Sequence, residues 1–77
     1  GRLGRFEDAV INFDKAIDLD EKYSEAWYNR GLALEALKRY EEAVGSYDRA
    51  LKINPQDRMA WYSRDFLSNG WKGGRTQ

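Results

Sequence analysis

Two adjacent pairs of carboxylates, Glu7-Asp8 and Glu41-Glu42, are the first residues that could do chemistry. A carboxylate pair can divide acid and base duties, but only where a pocket drives the two pKa values apart. These pairs open two similar apolar-periodic runs, where negative charge favours a helix start. Capping and solubility are therefore the expected roles. Asp18, Asp20 and Glu21 make a looser acidic group. They lack the ordered oxygen ligands and turn glycine of a calcium loop, so no metal site is expected. The chain has no histidine and no cysteine, which removes the usual general base, the commonest metal ligand and all thiol chemistry. Gly73-Gly74 is no phosphate loop, because no strand precedes it, no helix follows and the P-loop spacing is missing. Trp71, Lys72 and Arg75 could touch RNA by stacking and charge. Against that, 13 basic and 13 acidic residues balance, leaving no general field for nucleic acid or anionic membrane. No catalytic residue and no cofactor is expected, and the chain reads as a non-enzyme.

What does repeat is a set of rings and charges. Trp27 and Trp61 lie 34 residues apart, as do Tyr28 and Tyr62, Arg30 and Arg64, and Asp14 and Asp48. Asn29 and Ser63, and Leu32 and Phe66, keep the same spacing. Shifted by 34, the chain overlaps itself at 43 positions, of which 12 are identical. A fixed period of this length marks a stacked repeat protein.

The elements that must position these residues are helices. Phe6, Ala9, Val10, Phe13, Ala16 and Ile17 form one apolar stripe, predicting a helix over about 6–19. Gly1 to Gly4 reads as the tail of a helix and its turn. Ser24 is a candidate N-cap for a second helix over about 25–37. That helix is apolar on two sides: Trp27, Gly31 and Leu34 on one, Tyr28 and Leu32 on another. Gly31 costs about 1 kcal/mol of helix propensity, and the return is close approach of a neighbour, expected at Ala43 or Ala50. A third helix, about 40–53, repeats the first stripe with Tyr40, Ala43, Val44, Tyr47, Ala50 and Leu51, and Asn54-Pro55 stops it. Asp57 can cap a fourth over about 58–68, which Asn69-Gly70 should end.

The stretch 24–57 resembles a tetratricopeptide repeat, a helix-turn-helix unit of about 34 residues. Trp27, Gly31, Leu34, Tyr40, Ala43, Tyr47, Ala50 and Pro55 stand in its signature slots. Departures are Arg30 and Arg64 in place of Leu, Lys38 for a turn Gly, Glu21 for Pro, and Asp65 for a small residue. The resemblance implies an all-α fold of antiparallel helix-turn-helix repeats in a right-handed α-solenoid. It divides the chain into a half repeat 1–23, a full repeat 24–57, a half repeat 58–70 and a tail 71–77. That is about two repeats' worth of helices, where about three are normally needed. The expectation is a piece of a longer array, or a chain completed by another copy, with Phe66, Leu67 and Trp71 exposed as a patch.

In such stacks the second helix of one repeat lies beside the first helix of the next. The resemblance therefore pairs Asp14 with Arg30 and Asp48 with Arg64, with Arg able to hold a carboxylate bidentately. It also implies a non-enzymatic scaffold whose first helices line a groove for a peptide or partner helix. Tyr28, Asn29, Leu32, Tyr62, Ser63 and Phe66 match the groove slots. The plain alternative is that Tyr28 and Tyr62 pack on each other. Some members clamp a peptide's terminal carboxylate with Lys, Asn and Arg; only Asn29 fits, because Met59 and Ser63 occupy the later positions. Other readings are self-association through the open end helices, and weak RNA binding by the tail. No apolar run is long enough to span a bilayer. No leader is visible, and a cytoplasmic setting is favoured with the compartment left open.

Overall fold

A computed structural model describes residues 2–71, with side chains from residue 4 to residue 69. Four α-helices follow one another: α1 (Arg2–Leu19), α2 (Ser24–Ala36), α3 (Tyr40–Ile53) and α4 (Arg58–Phe66). A π-helical turn, Leu67–Trp71, continues α4. Each helix packs on the next, α1 on α2, α2 on α3 and α3 on α4. Short connections between such neighbours make them antiparallel. The Cα envelope is a slab of 42 × 34 × 14 Å.

The core lies along α2 and α3. Ala33, Leu34, Ala43 and Tyr47 form one buried cluster, joined by Val10 from α1 and Leu67 from the π turn. Ala50, Leu51 and Ala60 form a second, covered by Trp27 and Tyr28. Leu34, Ala43, Tyr47, Ala50 and Ala60 are wholly buried.

Gly31 does mark a close approach, but the neighbour is Tyr47 rather than Ala43 or Ala50. A Cβ on Gly31 would lie 2.5 Å from Tyr47 Cε1. The glycine lets a large ring come close to the α2 backbone.

The turns repeat in detail. The Lys22 N–H donates to Asp20 Oδ1 at 3.1 Å, and one period on the Gln56 N–H donates to Asn54 Oδ1 at 3.3 Å. The Trp27 indole N–H donates to the Glu21 carbonyl at 3.1 Å, and the Trp61 indole to the Pro55 carbonyl at 2.7 Å. The α2–α3 turn closes on Lys38, with φ of 63°. That is the left-handed region, normally given to glycine.

Three helix ends differ from the sequence reading. First, α1 begins at Arg2, and Gly4 is helical. Gly4 stands one period before Lys38, yet it is helical where Lys38 is in a turn. Glu7 and Asp8 therefore lie beyond the first turn of α1, whereas Glu41 and Glu42 do open α3. Second, Ser24 is the first residue of α2 and not its cap. Tyr23 holds the cap position without a side-chain bond, its carbonyl accepting from the Ala26 and Trp27 N–H groups. Asp57 does cap α4, accepting from the Ala60 N–H at 3.2 Å. Third, Asn69-Gly70 does not stop the chain's helical course. Leu67, 1% exposed, is anchored in the core and carries the helix on as a wider turn. Leu67 thus drops out of the exposed patch. Phe66 remains in it, and the Trp71 side chain lies outside the described residues.

Candidate functional site

The six residues expected to line a groove divide between two helices, Tyr28, Asn29 and Leu32 on α2 and Tyr62, Ser63 and Phe66 on α4. Tyr28 is half-buried, with its ring centroid 5.6 Å from that of Tyr47 and the planes tilted by 42°. The ring partner of Tyr28 is thus Tyr47, not Tyr62. The Tyr47 phenol donates to Glu35 Oε1 at 2.8 Å. Burial first, and then this bond to Glu35, push its pKa well above the ordinary phenol value, while a hydrogen bond with Ser63 opposes the rise. Ser63 is half-buried.

The other positions face outward. Tyr62 is 71% exposed, Phe66 58% and Leu32 41%. Asn29 is half-buried. Tyr62 and Phe66 meet in one shallow hollow of about 350 Å³, shared with Asp65 and Asn69. Tyr28, Asn29 and Leu32 do not line that hollow.

The recurring ion pairs form as the resemblance implied. Arg30 Nε lies 2.6 Å from Asp14 Oδ1, tying α2 to α1. Arg64 Nε pairs with Asp48 Oδ1, tying α4 to α3. Each pair makes one contact through Nε rather than a two-pronged grip. For Arg30 the reason is visible: its Nη1 donates to the hydroxyl of buried Ser46 on α3. One guanidinium thus spans three helices where the repeat pattern has Leu. The arginines also lie over the tryptophans, Arg30 at 5.7 Å and Arg49 at 5.1 Å from the Trp27 ring centre, and Arg64 at 6.0 Å from that of Trp61. Cation–ring attraction of this kind contributes roughly 0.5–1 kcal/mol at exposed sites.

A concavity of about 700 Å³ lies at the helix ends, lined by Ile17, Trp27 and Ile53 together with Asp18, Glu21, Lys22, Arg49 and Lys52. Sequence reasoning considered Asp18 and Glu21 only as a metal group and missed the cations beside them. The signal was available in part, since Lys52 occupies the place of Asp18 one period later. Among the described residues no group of three or more His, Cys, Asp or Glu is placed to hold a metal ion. No described helix is long and apolar enough to cross a membrane. Lys72 and Arg75 lie outside the described residues.

A family model for the tetratricopeptide repeat matches residues 1–58. The chain belongs to the tetratricopeptide repeat family. It is, in general terms, a protein–protein interaction module of a kind that usually serves as a non-enzymatic scaffold. An uncharacterized protein of Methanocaldococcus jannaschii is similar, 46% identical over 37 residues. That match covers 48% of this chain and 43% of the relative, so this tetratricopeptide segment spans less than half of it.

Proposed function

We propose that the outward faces of α2 and α4 bind a peptide or helix of a partner protein, with Tyr28, Asn29, Leu32, Tyr62, Ser63 and Phe66 as the contact set. The chain is read as a half repeat 1–23, a whole repeat 24–57 and a half repeat 58–70, with a tail 71–77. The observation that carries the reading is the exposure of Tyr62, Phe66 and Leu32 at repeat-related positions of successive first helices. Rings with polar tips beside apolar side chains favour protein contact. Tyr28 is packed on Tyr47, so replacing it disturbs the fold as well as the surface. The cleaner test pairs Tyr62→Ala with Phe66→Ala and selects peptides from a display library on the unaltered chain. Selected peptides should lose binding to the double variant while its helix content is unchanged. Full retention of binding would remove the proposed face.

Self-association is a second reading, favoured by large apolar side chains exposed on both end helices. Phe6 and Ile11 on α1 are 39% and 51% exposed, and Met59 and Trp61 on α4 are 59% and 44% exposed. Sedimentation of a clean monomer at high micromolar concentration would reject it.

A further inference from the structure

The seat that Tyr47 fills on α2 has three visible parts. Gly31 is its floor, Tyr28 stands beside the ring, and Glu35 receives the phenol. One period later the same positions are Asp65 and Tyr62 on α4 and Asn69 on the π turn. Those three residues, with Phe66, line the hollow of about 350 Å³ on the outer face of α4. The hollow is therefore a second edition of the Tyr47 seat, unfilled among the described residues and rebuilt with a charged floor.

That floor changes what can sit there. A bare Cβ at Gly31 would come within 2.5 Å of the Tyr47 ring. Asp65 carries a Cβ and a carboxylate at the matching place, so an aromatic ring in that pose is excluded. A second copy of this chain is excluded in the same register, because its α1 presents Phe13 where α3 presents Tyr47. The carboxylate remains available as an acceptor, with the Asp65 side chain 61% exposed. Its neighbour Arg64 approaches only to 3.6 Å through Nη1, longer than a hydrogen bond, and commits Nε to Asp48.

We infer that this seat takes a long basic side chain, Lys or Arg, from a partner segment that crosses α4 as α3 crosses α2. The cation meets the Asp65 carboxylate, and the Asn69 amide oxygen offers a further acceptor. The aliphatic stem lies along the Tyr62 and Phe66 rings, which also attract the charge. Charge complementarity selects the occupant, and the aromatic walls give it area. This assignment rests on the reading that α4 presents an interaction face, and it names the chemistry of the partner there.

The test uses the whole chain and a synthetic peptide of residues 39–54 in two forms, native and Tyr47→Arg. Nuclear magnetic resonance follows the Tyr62 and Phe66 ring signals. The Arg peptide should shift both rings saturably and bind about fivefold more tightly than the Tyr peptide. Asp65→Asn, an exposed isosteric change, should remove about that preference and leave the Tyr peptide unaffected. Equal binding of the two peptides at these rings, or no effect of Asp65→Asn, overturns the basic-side-chain assignment while sparing the interaction face. No ring shift with either peptide overturns both.

Discussion

Gly31 and Gly45 each sit inside a helix, yet the fold requires only one of them. A Cβ at Gly45 meets nothing within 4 Å, whereas at Gly31 it strikes the Tyr47 ring. Gly45→Ala should therefore stabilise the chain by roughly 0.5–1 kcal/mol of recovered helix propensity. Gly31→Ala gains the same propensity but overpacks a buried ring, for a net loss of about 1–2 kcal/mol. Urea unfolding of the two variants should move in opposite directions; movement in the same direction would refute the contact. Tyr47 carries a second expectation at this scale. Its folded pKa is raised above the ordinary value of 10.0. The stability this represents is complete below about pH 10 and is lost as pH rises beyond it. Tyr47→Phe should cost about 1 kcal/mol near neutrality through the lost bond to Glu35, and should flatten the alkaline fall in unfolding free energy. An equally steep fall in the variant would count against the buried phenol. The sequence showed that Gly31 meets a neighbour but not which one. An apolar stripe spans a wide arc, so periodicity leaves open how far α3 is rotated against α2.

The turns and ends of the helices were legible where the signal is local and illegible where packing decides. Asp57 capping α4 and Asn54-Pro55 ending α3 are local, and both hold. The Asn69-Gly70 stop fails because Leu67, buried among Tyr47 and Ala43, fixes the chain's course two residues earlier. Ser24 fails as a cap because the turn is already closed by Asp20 and by the Trp27 indole. Lys38 is the converse case, a residue whose type conflicts with its backbone. A non-glycine residue in the left-handed region is strained by roughly 1 kcal/mol. Lys38→Gly should raise the midpoint of thermal unfolding by a few degrees, consistent with about 1 kcal/mol in so short a chain. A lowered midpoint would mean that the Lys38 side chain makes a contribution larger than the strain.

Across the whole molecule, protection is unequal. Ala43, Tyr47 and Ala50 of α3 are wholly buried, while their equivalents on α1, Ala9, Phe13 and Ala16, are only half-buried. Among the described helices, α2 and α3 have neighbours on two sides, and α1 and α4 on one. Hydrogen exchange should be slowest in α2 and α3 and fastest toward the start of α1 and the π turn. Uniform exchange along all four helices would contradict this gradient. The candidate face was legible as a list of positions, because the period places Tyr62 and Phe66 without ambiguity. Its division was not, since nothing in the spacing says that Tyr28 packs on Tyr47 while Tyr62 stays exposed. Trp27 and Trp61 each fasten a loop by gripping a peptide oxygen, at Glu21 in one case and Pro55 in the other. A clasp on the main chain is indifferent to the letter written there. Such loops are free to drift in identity over descent, and to acquire new surface chemistry, without loosening the joint between successive units.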